Sequence, residues 1–303
     1  MTIFKSINPK KISQREMHQY LLAAVAPRPI CLASTIDLKD QVNLSPFSFF
    51  NVFSSNPPIL IFSPARRSKD GSIKHTLENV MEVKEVVVNI VNYSMVQQMA
   101  LSSADFPKGE NEFKKAGFTP INSQIIRPPR VAQAPVAFEC KVNRIIPLGD
   151  GPGAGNLILA QVVLMHVKEN LLNKENQLDS TRLDLVARLG DQWYNRLIDK
   201  SLFKLSQDFK GQLLGVDGLP HHIKNSKVLT GNDLGILGSL PALPQQAEQK
   251  RIFEIGAVKA LFDLPKEDQE EAFHRLAQKI LRNGDPQTAL SILFLSDEHK
   301  LAP

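Results

Sequence analysis

The spacing of hydrophobic and polar residues changes character several times along the chain. Ser13 and Glu16 form an S-x-x-E capping box, and Met17, Tyr20, Leu21 and Ala24 follow at helical spacing, so a helix is expected until Pro27 and Pro29 end it. Strand-like runs then dominate: Pro29–Ile36, Asn51–Phe53, Ile59–Phe62, Val86–Val91, Val136–Ile146 and Leu157–Val167 are rich in Val, Ile, Leu and Phe and are separated by turn formers. Short helices are expected at Lys74–Val83 and Met95–Leu101. No regular strand–helix alternation runs through this region. The expected architecture is mainly β, an antiparallel barrel or sandwich with peripheral helices.

Beyond about Phe209 the texture changes. Glycines and prolines from Gly211 to Pro244 suggest a loop-rich connector, followed by two or three helices. The clearest carries Phe273, Leu276, Ala277, Ile280 and Leu281 on one stripe, with Gly284 and Pro286 as its stop, and Ala289–Leu295 reads as a last buried helix. One apolar stripe cannot bury itself, so these helices must pack on the barrel, on one another or on a partner chain. The expected division is 1–208 and 209–303.

Composition narrows the function. With 43% hydrophobic and 22% charged residues, the 303-residue chain is globular in character. The uncharged run 41–65 is long enough for a bilayer, but Asn43, Asn51, Asn56, five serines and four prolines would leave too many polar groups unpaired there. No membrane span is expected. Two distant cysteines, Cys31 and Cys140, and an N-terminus without an apolar signal core point to a reducing, cytoplasmic setting. Residues 205–303 hold 11 Lys/Arg against 13 Asp/Glu, and the preceding part 25 against 18. Its one short basic cluster, Arg66, Arg67, Lys69 and Lys74, suits a single small anion better than a nucleic-acid backbone, or is merely a solvated basic loop.

Most catalytic motifs fail. In the glycine cluster Gly149–Gly155, Ala154, Asn156 and Ile158 occupy the third positions of every G-x-G-x-x-G register, and a strand-like run follows where a phosphate loop requires a helix. It reads as a strand-connecting loop. The seven histidines lack metal-ligand spacing, His166 sits in a strand run, and no serine has a triad arrangement. No metal site is expected. What remains is the segment Ser34–Thr76, dense in Ser and Asn with interleaved Phe, then Arg and Lys before a helix start. This is a kit for a flat, hydrogen-bonding aromatic ligand with an anionic tail. An ordinary barrel strand beside a basic loop accounts for the composition equally well.

The runs Arg28–Thr35 (RPICLAST), Asn43–Asn51 (NLSPFSFFN), Pro57–Pro64 (PPILIFSP), Lys74–Asn79 (KHTLEN) and Val87–Val91 (VVNIV) resemble the flavin reductase-like family that includes flavoredoxin. Asp105–Gly109, Glu112–Phe113, Gly117–Pro120, Pro128–Val131, Gly155–Ile158 and Leu185–Gly190 continue the match in order, over roughly Tyr20–Phe203. The resemblance implies an FMN-binding split antiparallel β-barrel, with non-covalent FMN near a homodimer interface. It also implies Ser34, Thr35 and the Ser48, Phe49, Phe50, Asn51 backbone against the isoalloxazine and ribityl groups. Ser63, Arg66 or Arg67, Lys74 and Thr76 would meet the phosphate. Ser68–Ile73 is an insertion relative to many members, and His75 stands where they have Asp, so Arg66, Arg67 and Lys69 all stay open as the main phosphate cation. Asn156 occupies a place where some members have a histidine near the nicotinamide. The implied activity is hydride transfer from NADH or NADPH to flavin and on to a diffusible acceptor; the alternatives are an FMN electron carrier or a non-catalytic flavin-binding module. No role is implied for the helical extension.

Overall fold

The computed structural model describes residues 3–205 and 211–296. They gather into two compact units, Met1–Phe203 and Lys204–Pro303. The division expected between 208 and 209 lies outside the described residues.

In the first unit, α1 (Gln14–Ala24) opens on the expected capping box, with Ser13 Oγ accepting from Glu16 N at 3.2 Å and the Glu16 carboxylate accepting from Ser13 N at 2.9 Å. Strands β1 (Arg28–Pro29), β2 (Cys31–Ile36), β3 (Val42–Phe47), β4 (Phe50–Ser55) and β5 (Pro58–Phe62) follow. Next come α2 (His75–Glu82), β6 (Glu85–Ile90), α3 (Val96–Leu101), α4 (Glu112–Ala116), β7 (Pro120–Ile121) and β8 (Arg130–Val131). The unit ends with β9 (Val136–Pro147), β10 (Asn156–Val167), β11 (Val186–Arg188) and β12 (Tyr194–Arg196).

The main sheet is antiparallel with strand order β3-β2-β6-β9-β10-β5-β4. Its two edge strands, β3 and β4, are separated in sequence only by Ser48 and Phe49. Laid flat, seven strands would hold those edges ~29 Å apart, whereas the link from Phe47 to Phe50 reaches at most ~11 Å. The sheet therefore has to roll up. Across the seam the Phe47 and Phe62 rings lie 5.3 Å apart, and Ser63 N donates to Phe49 O at 2.9 Å, but no ladder joins β3 to β4. This is a split antiparallel β-barrel with peripheral helices, the architecture expected from the sequence.

Burial explains which residues form it. On β2, Cys31 and Ala33 face the barrel core with Phe62, Val86 and Leu77, while Leu32 joins Leu44, Met95 and Phe113 on the other side. A strand packed on both faces reads as continuous apolar sequence. Cys31 and Cys140 are free, buried thiols; burial pushes both up, Cys140 to about 12. The strand expected at Pro29–Ile36 breaks at Ile30: β1 pairs with β11 in a separate sheet, β1-β11-β12, and β2 enters the barrel. The run 41–65 holds three strands, not two. Strand β3 is masked in the sequence by Asn43, Ser45 and Pro46, tolerable because β3 is an edge. His166 is structural: its ring lies 2.7 Å from the buried carboxylate of Glu139. That carboxylate also accepts from the N–H groups of Gln124, Ile125 and Ile126.

The second unit comprises α5 (His221–Lys224), α6 (Gly231–Gly238), α7 (Gln246–Phe253), α8 (Gly256–Lys259), α9 (Lys266–Arg282) and α10 (Pro286–Leu295). Phe273, Ala277 and Leu281 of α9 share one core with Leu290 and Leu293 of α10 and Leu237 of α6, so these helices bury their stripes on one another. The expected loop-rich connector contains α5 and α6. Helix α6 starts on a Thr230–Asp233 capping box, and its Gly238 is required because a Cβ there would stand 2.9 Å from the Gly215 backbone. His222 Nε2 meets Leu293 O at 3.2 Å and His274 Nδ1 meets Ser226 Oγ at 2.7 Å, so this histidine pair serves packing.

Candidate functional site

A cavity of about 350 Å³ opens in the first unit, within the ~300–1,000 Å³ range of ligand clefts. Of the residues singled out in the sequence, Ser48, Phe49, Ser63 and Lys74 line it. His18, Arg28, Arg188 and Tyr194 line it too, and none of them stands out as a site candidate in the sequence. Among the described residues its wall contains no Asp or Glu.

The cations of the basic cluster differ in how they are spent. The inserted loop is closed by Arg67 N to Ser72 O (2.8 Å) and Gly71 N to Arg67 O (2.9 Å). It is tied to the β9–β10 turn by Arg66 N to Ala154 O (2.8 Å) and Gly153 N to Arg66 O (3.1 Å). The glycine cluster is thus a strand-connecting loop, as expected, and also an anchor for the insertion. Arg66 Nη1 donates to Gly71 O at 3.0 Å. Arg67 donates to Asp105 and to Ser72 and the Ile73 carbonyl. Lys69 is exposed and outside the cavity. Lys74 is the member of the cluster that lines the cavity, and it points no donor at a protein acceptor: its Nζ lies 5.8 Å from the Phe47 ring centroid, and it makes no hydrogen bond or ion pair among the described residues. Burial, and secondarily the charge of Arg67, pulls its pKa below the ordinary lysine value. Lys74 is also the N-cap of α2, without a capping side chain, so the N–H groups of His75 and Thr76 at the helix start are open to an outside acceptor.

The other candidate residues fall elsewhere. Ser34 and Thr35 are fully buried behind the wall, because β2 is flanked by β3 and β6 and covered by α2. Thr35 Oγ1 accepts from Asn79 at 3.1 Å, Thr76 Oγ1 accepts from Asn43 at 2.8 Å, and Ser34 Oγ has no partner. Phe50 packs against the barrel core, and exposed Asn51 accepts from its neighbour Val52 N at 2.8 Å. Asn156 is buried: its backbone N donates to Ser63 Oγ at 3.1 Å and its Nδ2 to Pro64 O at 3.0 Å. Gly155 permits this approach, since a Cβ there would lie 2.8 Å from Ser63 Oγ. Asn156 and Arg66 face a second cavity of about 570 Å³, walled by Leu77, Met81, Val142 and Ile145 with Lys84, Arg144 and Asp150.

Residues 23–182, more than half of the chain, match the family model described as the flavin reductase like domain. The chain belongs to the flavin reductase-like family. The match lies wholly within the first unit. Among solved structures, this family member is similar to nitrilotriacetate monooxygenase component B from Bacillus cereus, at 32% identity and TM-score 0.63, covering 68% of this chain and 100% of that one. It is similar to 2-nitrobenzoate 2-nitroreductase NbaA of Pseudomonas fluorescens, at 26% identity and TM-score 0.59, covering 68% and 99%. A Shewanella frigidimarina protein described as a flavin reductase with a split barrel domain shares the fold at 23% identity and TM-score 0.56, covering 65% and 94%. Among the described residues no group of three or more His, Cys, Asp or Glu could hold a metal ion, and no helix is long and apolar enough to cross a membrane.

Proposed function

We propose that this flavin reductase-like protein binds FMN non-covalently in the Lys74 cavity and works as an NADH- or NADPH-dependent flavin reductase. The observation that carries this reading is Lys74 itself: an uncommitted cation at the uncapped start of α2, in an acid-free cavity ringed by Ser48, Phe49 and Ser63. These residues fit FMN. Its phosphate finds Lys74, the His75 and Thr76 N–H groups and the Ser63 hydroxyl, donors suited to a phosphomonoester. Its ring finds Phe walls and the backbone of Ser48–Asn51. When bound, FMN would supply the chemistry of a hydride acceptor and two-electron donor between a nicotinamide and a diffusible acceptor.

The protein's part is binding, orientation and exclusion of water. Phe47 and Phe49 supply apolar wall. Asn156 acts at one remove, fixing Ser63 and Pro64 rather than touching the ligand. Ser34 and Thr35 stiffen the strand behind the site, and Arg66 and Arg67 stiffen the inserted loop. A second copy of the chain would cover β4, an edge strand whose Val52 and Phe53 are 63% and 64% exposed immediately after the cavity residue Phe49. Two free thiols buried in the core agree with a reducing, cytoplasmic compartment.

The test is to titrate purified protein with FMN, following flavin fluorescence, and then add NADH or NADPH without oxygen. Saturable binding and bleaching of the flavin band are expected. Protein that binds no FMN removes the flavin reading. Bound FMN that neither nucleotide bleaches identifies an electron carrier instead.

A further inference from the structure

The flavin phosphate accounts for one cation, yet the cavity, with no Asp or Glu among its described lining residues, has three basic side chains, Lys74, Arg28 and Arg188, together with His18. Arg28 and Arg188 are direct partners across the β1–β11 ladder, and Tyr194 is the direct partner of Arg188 across β11–β12. Directly paired residues share a face, so one row, Arg28–Arg188–Tyr194, is presented to the cavity by three short strands. Two arginines placed opposite each other repel, and the fold offsets this unequally. Arg28 is buried and its Nη1 and Nη2 groups donate to the carbonyls of Leu22, Val25 and Leu189, at 2.6, 2.6 and 2.9 Å, while its Nε has no partner among the described residues. Arg188 is stacked over the Tyr194 ring at 4.5 Å and gives one Nη2 bond to Asp191 O. Among the described residues its remaining N–H groups have no protein acceptor and no carboxylate pairs with it. A guanidinium held over a ring with free N–H groups is preorganised for a planar or tetrahedral oxyanion. The two cationic centres are also separate. Arg188 acts on Arg28, whereas the charges acting on Lys74 are those of Arg67 and Asp105.

We infer that Arg188, held by Tyr194 and backed by Arg28, is a second oxyanion subsite of this cavity. It reads the phosphate or carboxylate of the co-substrate that meets the flavin. Rims of Leu22, Phe49 and Met99 would receive the flat body of that molecule, and Arg188 its charged end. The reading rests on FMN occupying the Lys74 end. It makes Arg188 a determinant of co-substrate affinity and leaves flavin affinity to Lys74.

The experiment uses the full chain saturated with FMN. Binding of NADP+, NAD+ and a benzoate carboxylate is measured by calorimetry, and FMN binding by fluorescence, for wild type, Arg188→Gln and Arg188→Lys. Arg188→Gln is expected to weaken the oxyanion ligand by about tenfold or more while FMN affinity stays within about twofold, with Arg188→Lys recovering only part of the loss. Loss confined to the nucleotides assigns a phosphate, and loss confined to benzoate assigns a carboxylate; either supports the subsite. Unchanged affinity for all three ligands overturns it, as does an equal loss of FMN and co-substrate binding, which would place Arg188 in the flavin site or in the stability of the unit. Wild-type protein that binds no FMN fails at the first titration, and that result removes the flavin reading together with the subsite built on it.

Discussion

The first unit holds two cavities with cationic walls, and they differ in what their cations are free to do. The one at Arg66 is the larger, about 570 Å³ against 350 Å³. Its Arg66 is tied to Gly71 O, and Asp150 brings a carboxylate into the wall. The smaller cavity has no carboxylate among its described lining residues, and Lys74 keeps its donors unspent beside an uncapped helix start. Size alone does not favour the larger cavity as the proposed anion site. In the proposed reading availability of donors decides, because the Arg66 Nη1 bond to Gly71 O would have to break before that group took a ligand.

The largest effect that separates the cavities is expected from Lys74→Ala, which removes the free cation. FMN affinity should fall about 10- to 100-fold in fluorescence titration, the scale of one or two lost charge-assisted bonds at about 1–3 kcal/mol. Next comes pH. Burial already draws the Lys74 pKa below 10.5, so its charge, and FMN affinity with it, is lost as pH rises through that lowered value. Titrations across alkaline pH should show an affinity fall beginning below pH 10.5 in wild type and absent in Lys74→Met. Asn156→Ala cuts the side-chain bond from the larger cavity's wall to the residue after Ser63, Nδ2 to Pro64 O. Thermal unfolding should register about 1 kcal/mol of lost stability, and FMN affinity should weaken a few-fold through the displaced Ser63. Arg66→Ala should have the smallest effect, leaving FMN affinity within about twofold, since its side chain holds the loop. A large loss there with a small one at Lys74 would invert the comparison.

Much of this was legible in the chain. The Ser13 capping box, the apolar runs and the stripe of α9 follow from local physics and reappear as α1, the barrel strands and the second unit's core. The identity of β3 was hidden because a strand that contributes Asn43 to a buried bond with Thr76 does not alternate cleanly. Helix α6 was hidden because glycines normally break helices, and only the nearby Gly215 backbone explains Gly238. Sequence could gather Arg66, Arg67, Lys69 and Lys74 into one cluster. Whether each was free depended on partners such as Asp105 and Gly71, which only the closed loop brings into range. Arg188 lay in a recognised run without a role, because its pairing with Arg28 spans most of the first unit. The signal available was the conjunction of two arginines and a tyrosine, and it becomes informative only once β1, β11 and β12 are aligned.

The most direct test of the central claim is a crystal structure of the protein with FMN bound. The phosphate should sit at the start of α2, with Lys74 Nζ at about 2.7–3.0 Å from a phosphate oxygen and the His75 and Thr76 N–H groups directed at it. A phosphate lodged against Arg66 in the larger cavity, with Lys74 empty, would contradict the assignment.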